Sequence, residues 1–528
     1  MSFTKITNSR AKSLVFLFVI LAIFLKVDFR LQTDIICCSD DHDYYIHAET
    51  TVIDFDFDYA NQLKGFENKR NNLNSKPSPI GFYGTGLLSA PFLYLGSTID
   101  KFTTHNIELG YSNKVLFYSF SSPFYFLLTF FFLTKIKKEL GINYSNIKLL
   151  LLFLGTGLPY YALERFSMTH VYDTFSITCL IYVLILYYKS GSTKFIFFTS
   201  FFIFLTLLIR WTNYQVFLLP FIINKLFFAN SNYKIRSQFQ KFFLANSFFT
   251  LLFLFHTKLI WGVYTLNPRK IYNQHDFVSV YFQNLIDSPF IFLIDNIKYL
   301  FITLFTEEFG VFWFSPIIFF GLIFSFLLIK KDSILAFTLL IIYSFYFAII
   351  NVWQSTGNAY GFRYLYPLIT ISMLLFLNYY KLSDNPKRLV EYYLLFFSVL
   401  SLLSVLFFEG WEGTQLSLNV IENSFGKYEK FVQPAYLTGF IKGFLEITTY
   451  LKIFTTSFLG LIIFKILIVF FSIEKLLYFL EYINLPVDNS NFISYISQVS
   501  ALKSLTIVFI SLTLLAFAYL MRQSLETC

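Results

Sequence analysis

Residues 38–61 read CSDDHDYYIHAETTVIDFDFDYAN, and they follow closely on an apolar run, Leu14–Leu25, that is itself preceded by Lys5, Arg10 and Lys12. From Asp34 to Asp58 there are eight carboxylates and no Lys or Arg. A basic N-terminus, an apolar span and then an acidic run is the order of a helix that enters a membrane with its positive end inside and releases the chain on the far side. No small-x-small cleavage site follows the apolar run, so it reads as a retained transmembrane helix. Topology rules weigh Lys and Arg far more than acids, so they leave unexplained why eight carboxylates stand here.

The rest of the chain is greasy. Of 528 residues, 56% are hydrophobic and 14% charged, against about 25% charged in an ordinary soluble domain. Phe (73) and Tyr (37) are abundant, as suits lipid-facing bulk and the membrane interface. This is the composition of an all-α polytopic membrane protein. The net charge of +9 does not indicate nucleic acid, because most Lys and Arg sit in short loops between apolar runs. The four cysteines, Cys37, Cys38, Cys179 and Cys528, form no CxxC pair, so neither a zinc site nor a disulfide framework is indicated.

Runs long enough to cross a bilayer fall at roughly 13–29, 82–98, 114–134, 147–163, 168–188, 195–209, 213–228, 242–262, 310–329, 334–351, 364–379, 390–407, 448–471 and 503–521. The basic loops Lys135–Lys138, Lys189–Lys194, Lys225–Lys241, Lys330-Lys331 and Lys381–Arg388 fall on alternate turns and belong inside. Parity then requires that one early segment not cross. Residues 82–98, which carry Gly84, Gly86, Pro91 and Gly96, are the best candidate for a re-entrant or surface segment. About 13 spans remain. The outer ends receive the acidic run, Glu164-Arg165, His170, Asp173, Arg210, a long loop 263–300, Glu307-Glu308, Trp353–Arg363 and the loop 408–447. The inner ends receive mostly Lys, so the working face is outside.

Within the acidic run, Asp43, His47, Thr50 and Asp54 share one helical face, while Tyr45, Ala48, Val52 and Phe55 share another. That spacing predicts a helix lying in the outer interface. Asp54–Tyr59 then alternates with period two, as an extended or turn segment does. Two readings stand: a solvated acidic loop, or a carboxylate at the mouth of a membrane cavity serving as a general base or metal ligand.

The order of motifs resembles bacterial members of the GT-C glycosyltransferase superfamily, the group of lipid A aminoarabinose transferase and the protein O-mannosyltransferases. It runs from a transmembrane helix through Ser39-Asp-Asp-His-Asp-Tyr-Tyr45, the Asp54, Asp56, Asp58 and Asn61 series, and Gly84-Thr-Gly86 with Pro91. It continues with Met168-Thr-His170, Arg210 at a span boundary, Glu307-Glu-Phe-Gly310 with Pro316, and Gly361-Phe-Arg-Tyr364 with Pro367. The resemblance implies a GT-C-like module over 1–410, its first outer loop at 30–80 bearing the acidic motif, followed by 411–528 with an outer loop and C-terminal helices. It implies sugar transfer from a polyprenyl-phosphate carrier to a lipid, glycan or protein acceptor, on the extracytoplasmic face of a bacterial cytoplasmic membrane. In such families the first acid of the first outer loop acts as base, which implies Asp40 first and its neighbour Asp41 as the other catalytic candidate, with Asp43 and Tyr44 near the substrate. A divalent cation, Mg or Mn, is compatible with this chemistry and not required by it.

Such a transfer also needs cations beside the departing phosphate. Arg363 has a guanidinium suited to bidentate phosphate contact, against the alternative of an interface anchor. Arg210 looks deeper, where charges usually face a cavity, though it also suits a structural pair with Glu164. Glu164-Arg165 and His170 cluster at one outer turn, either as a local ion pair beside an interfacial histidine or as contacts to the donor phosphate or sugar. Glu307 and Glu308 would be poor lipid neighbours and point to a cavity, where they would bind the substrate's sugar hydroxyls or a divalent ion. Lys258, Arg269, Lys270 and His275 read by default as a solvated loop. The rival readings are a multi-pass transporter or lipid flippase with an acidic outer vestibule, and a catalytically inactive scaffold. A transporter places its essential charges near the bilayer midplane.

Overall fold

The computed structural model is helical, with no β-strand among the described residues. Those residues are 40–64, 73–102, 112–163, 165–229, 238–267, 283, 285–305, 310–353, 361–382, 387–407, 463, 467 and 470–483. Among them, five helices are long and apolar enough to cross a membrane, and three shorter apolar helices accompany them. This is a multi-pass architecture, and the expected count of 13 takes in stretches outside the described residues. The candidate spans 13–29 and 503–521 and nearly all of 448–471, together with the domain boundary at 410, lie outside the described residues.

The acidic run forms α1 (Asp40–Glu49), which runs on into a turn of π-helix, Thr50–Asp54, and stops where Phe55 turns left-handed at φ 60°. The expectation of an interfacial helix is corrected here. Asp41, Asp43, Tyr45, Ile46, His47 and Ala48 are all buried, so both faces of α1 pack against protein. Helical spacing alone does not distinguish a face that meets lipid from one that meets another helix.

The first element to cover α1 is α2 (Gly84–Phe102). Its glycines, read as marks of a broken span, are points of close approach. A Cβ at Gly86 would lie 2.4 Å from the His47 Cβ, and one at Gly96 would lie 2.3 Å from the Asn113 carbonyl oxygen. Tyr125 donates to the Leu88 carbonyl at 3.0 Å.

α3 (Asn113–Glu139) starts at Ser112, whose Oγ accepts the Val115 N–H. The apolar run 147–163 is two helices, α4 (Asn146–Leu154) and α5 (Leu158–Leu163). They part at Gly155, where a Cβ would meet Ser398 at 2.3 Å, so the break makes room for a later helix. α6 (His170–Ser190) is buried along most of its length and ends at Gly191 in the left-handed region, φ 66°. It packs between α3 and α7 (Lys194–Ile209).

At Arg210 the backbone becomes extended and then enters a 3₁₀ turn, Trp211–Leu218, before α8 (Leu219–Phe227). α9 (Phe239–Trp261) follows. Next comes α10 (Pro289–Phe305), within and beyond what reads in sequence as a loop. Phe290, Ile291, Leu293 and Phe301 on α10 are exposed, and Asp295 and Lys298 interrupt its apolar run, which hides it from a span search. The segment 310–329 is again two helices, α11 (Val311–Phe314) and α12 (Pro316–Leu327). α13 (Ser333–Trp353), α14 (Leu368–Leu382), α15 (Lys387–Phe407) and α16 (Ile473–Tyr482) complete the described helices.

The bundle has two chemically different ends. At one, Lys189 pairs with Glu139 at 2.6 Å, Lys225 pairs with Asp332 at 3.1 Å, and Lys381 donates to the Leu140 carbonyl at 3.2 Å. Lys189 closes α6 there, and His170 opens it. At 1.5 Å per residue the 21 residues of α6 separate the two ends by about 30 Å. The lysine-rich loops therefore meet at one end, and Asp41, Arg165, His170, Arg210 and Arg363 meet at the other.

Candidate active site

The acidic run divides into acids that hold structure and one that does not. Asp54 accepts from Asn61 Nδ2 and from Gln62 Nε2; Asp56 accepts from Thr50 Oγ1 and the Asp58 N–H; Asp58 accepts from the Ala60 N–H. Asp56 and Asp58 cap a local turn by bonding backbone two residues on, and Asp54 ties the side chains of Asn61 and Gln62 to it. Glu49 pairs with Lys114 at 2.9 Å. One oxygen of Asp43 receives the backbone N–H groups of Ile80 and Gly81 at 2.9 and 3.0 Å. That clamp sets the segment beneath α1, with the half-buried Tyr44 against Gly81. Asp34 lies outside the described residues.

Asp41 is fully buried. Its Oδ2 accepts from Arg165 Nε and Nη2 at 3.1 and 3.0 Å, and its Oδ1 accepts from Ser167 Oγ at 2.6 Å. Asp40, at the start of α1, is exposed, and its charge acts on Arg363. The two adjacent aspartates thus have opposite situations: one is a buried half of an ion pair, the other an accessible carboxylate.

His47 anchors the far side of the same helix. Its Nε2–H donates to the Gly81 carbonyl at 2.8 Å, so Nδ1 must accept from the Tyr59 hydroxyl at 2.7 Å. Burial lowers its pKa to about 4, partly offset by the bond to Gly81. An unfolded chain titrates this residue near 6.5 and so takes up its proton first as the pH falls. The sign follows: stability is complete above about pH 6.5 and falls by about 3 kcal/mol as the pH approaches 4. Urea unfolding of wild type and of His47→Gln between pH 7.5 and 4 checks this. Wild type should lose stability over that window more steeply than the variant.

The second half of the site is built by α6, the end of α7 and the segment after Gly361. Gly361 adopts φ 68°, and a Cβ there would meet the Tyr366 hydroxyl at 2.8 Å. This left-handed turn sets the 3₁₀ turn Arg363–Leu365 against α6, where Thr174 Oγ1 reaches the Tyr366 carbonyl and Thr178 bonds Thr370 at 2.7 Å. Arg210 Nη1 lies 3.3 Å from His170 Nδ1 and 3.8 Å from Asp173 Oδ2. Asp173 Oδ1 accepts from Asn213 Nδ2 at 2.6 Å, and Tyr346 donates to Asn213 Oδ1 at 2.9 Å. The Tyr364 ring lies 5.0 Å from the Arg210 Cζ and 5.3 Å from the Arg363 Cζ, within cation–π range of both. The charges of Arg165, Arg210 and Arg363 all act on His170.

The fold therefore gathers Asp40, Asp41, Asp43, Tyr44, Arg165, His170, Arg210 and Arg363 at one end. Glu307 and Glu308, and the possible Arg210 partner Glu164, lie outside the described residues, as do Arg269, Lys270 and His275. Lys258 is exposed and donates to the Gly262 carbonyl. Sequence reading underrated Asp173, Asn213, Tyr346 and Tyr364, which hold the arginines. Asp173 lies three residues after His170 on one helix face, which was the available signal. Asn213 and Tyr346 sit inside runs that read as plain spans.

A cluster of guanidiniums, an imidazole and phenol rings suits an anion. The described residues do not suit a metal. Among them no three His, Cys, Asp or Glu side chains come together as ligands, and the oxygens of Asp41 are taken by N–H and O–H donors.

No family profile matches the sequence, and no curated protein is significantly similar to it. Among solved structures, the chain is similar to the archaeal oligosaccharyltransferase AglB from Archaeoglobus fulgidus in complex with an inhibitory peptide and a dolichol-phosphate. The identity is 14% and the TM-score 0.41, over 94% of this chain and 64% of that one. It is also similar to the Archaeoglobus fulgidus oligosaccharyltransferase in its apo form, at 12% identity and TM-score 0.40 over 92% and 63%, and in its complex with Zn and sulfate, at 13% and 0.36 over 92% and 61%. This chain thus spans less than two thirds of the archaeal protein's length. Likeness at this level decides nothing about the chemistry of the arginine cluster.

Proposed function

We propose that the protein is an integral membrane glycosyltransferase of the GT-C type. It moves a sugar from a polyprenyl-phosphate carrier to an envelope acceptor on the extracytoplasmic face of a bacterial cytoplasmic membrane. What supports this reading is the presence of an exposed carboxylate, Asp40, at the same end of the bundle as a cation cluster in which Arg210 and Arg363 share the Tyr364 ring.

The acceptor hydroxyl approaches the anomeric carbon with its proton directed at Asp40. As the new carbon–oxygen bond forms, the bond from the anomeric carbon to the phosphate oxygen breaks. The electron pair stays on that oxygen, and the acceptor proton passes to the Asp40 carboxylate. The phosphate leaves with one more negative charge than it brought, so donors already in place around it favour the transition state over the bound donor. Arg210 and Arg363 supply that field. Arg165 acts at one remove, because its guanidinium is held by Asp41. Asp43 and Tyr44 shape the loop beside the acceptor, and Glu307 and Glu308 are assigned to the sugar by their place in the sequence alone.

Membranes carrying the protein, supplied with a labelled polyprenyl-phosphate sugar and cell-envelope acceptors, test the reading. Free polyprenyl phosphate should accumulate with wild type and not with Arg363→Gln. A transporter or flippase would instead move the intact lipid-linked sugar across vesicles without breaking it, and that result would remove the transferase reading.

A further inference from the structure

His256 lies in the last two turns of α9, at the end of the bundle that holds α1. Trp261, which closes α9, ties it there by donating its Nε1–H to the Pro79 carbonyl at 2.7 Å. His256 is 8% exposed, and neither Nδ1 nor Nε2 has a hydrogen-bond partner. A neutral imidazole carries one N–H and one lone pair, so a donor and an acceptor are both left orphaned.

The polar groups around the ring are already committed. Tyr83 stands 5.2 Å from it between ring centroids, and Trp261 stands 5.5 Å from it. Thr51 Oγ1 donates to the His47 carbonyl at 2.6 Å, so the Tyr83 hydroxyl donates to Thr51 Oγ1 at 2.9 Å. The Trp261 N–H is held by Pro79. His47, edge-on to Tyr83 at 5.5 Å, gives one nitrogen to Gly81 and the other to Tyr59. Phe253 closes a further side at 6.1 Å and has no polar atom. None of these side chains can serve His256 without breaking a bond it already makes.

Buried polar atoms without partners are rare, and each calls for an account. A metal ion does not supply one. Among the described residues no three ligating side chains come together, and both nitrogens of His47 are taken. A charged guest does not supply one either, because no carboxylate or guanidinium bonds the imidazole. A hydroxyl both gives and accepts a hydrogen bond, so it satisfies either nitrogen, whichever carries the proton. The walls are aromatic rings, whose negative faces favour C–H groups. A row of rings also leads inward from the surface: Phe57 is 37% exposed and packs on Tyr83 at 5.7 Å, and Tyr83 packs on His256. Mostly aromatic walls with a few placed polar groups are the usual lining of a small-molecule site. A sugar ring matches this lining, with C–H groups on its faces and hydroxyls at its rim.

We propose that the outer end of α9, together with Tyr83 and Trp261, binds an uncharged sugar ring, one of whose hydroxyls pairs with the His256 imidazole. The site stands apart from the arginine cluster, across Tyr83 from the His47 face of α1. It rests on the transferase reading only for the role of that ring, which is then part of an acceptor glycan.

The full chain in the sugar-free detergent lauryldimethylamine oxide is titrated with the methyl glycosides of glucose, galactose, mannose and N-acetylglucosamine. Tryptophan fluorescence reports binding, because Trp261 is one of only five tryptophans. His256→Leu removes both polar atoms, and His256→Gln restores a donor and an acceptor. At least one glycoside should bind wild type, and should bind the leucine variant about 10-fold more weakly. The glutamine variant should recover most of that loss. Glucose 6-phosphate should bind no better than methyl glucoside. Failure of every glycoside to bind wild type, equal affinities in all three proteins, or tighter binding of the phosphate overturns the proposal.

Should the leucine variant fail to fold, the wild-type chain carries the test, since it has only six histidines. In the ¹⁵N-histidine-labelled protein, the ring resonances of one neutral histidine should move as the glycoside binds, and a glycoside that binds without moving any overturns the site. If a glycoside binds through His256 but membranes carrying the protein release no polyprenyl phosphate, this inference stands and the transferase reading falls. If polyprenyl phosphate is released and no glycoside binds, the transferase reading stands and this inference falls.

Discussion

Asp40→Asn is expected to slow sugar transfer by about 10²- to 10⁴-fold while leaving the thermal unfolding midpoint where it is. Asp40 is exposed at the first position of α1, and asparagine is as good a residue as aspartate at a helix start. Nothing in the packing of α1 depends on its charge. The loss should therefore appear in kcat and not in the amount of folded protein. Because a base acts only as the acceptor proton is lost, donor binding should be unchanged. Measuring turnover and unfolding on the same preparation separates the two. A variant that transfers at the wild-type rate places the base elsewhere, and one that unfolds shows that Asp40 is structural.

Asp41→Ala should do the opposite. It leaves the Arg165 guanidinium, whose side chain is 9% exposed, buried without its carboxylate. Removing one partner of a buried ion pair costs about 3–5 kcal/mol, a large share of the roughly 5–15 kcal/mol that holds a domain folded. The protein should melt at lower temperature and accumulate poorly. Replacing both partners with apolar residues of similar volume, as in Asp41→Leu with Arg165→Met, should restore much of the lost stability. If the double variant is as unstable as the single one, the pair has a further role that the ion pair does not describe. If Asp41→Ala is fully stable but inactive, the buried aspartate is the catalytic one.

The contrast between these neighbours shows how far the sequence carries and where it stops. Apolar runs and the alternation of lysine-rich turns place most helices and sort the chain into two ends, because lipid and charge act on every residue of a span. The sequence also points to Asp40, Arg165, Arg210, His170 and Arg363, because charged residues at span ends are few. It does not tell Asp40 from Asp41. That difference is made by Arg165, 124 residues away, and such pairing leaves no local periodicity. For the same reason α1 reads as an interfacial helix although both its faces are covered. The glycines of α2 read as breaks although they mark close contact with α1 and α3. α10 is missed for another cause: Asp295 and Lys298 lower its apolar content on faces that are exposed. Asn213 and Tyr346, which hold Asp173 and through it Arg210, lie in stretches whose composition says only that they cross a membrane.

The most direct test of the central claim is mass-spectrometric profiling of lipid-linked and envelope glycans in cells that lack the gene, complemented with wild type or with Asp40→Asn. The account predicts that one sugar disappears from an envelope glycan and its polyprenyl-phosphate donor accumulates, and that wild type alone reverses both changes. Unchanged glycans and donors in every strain would contradict it.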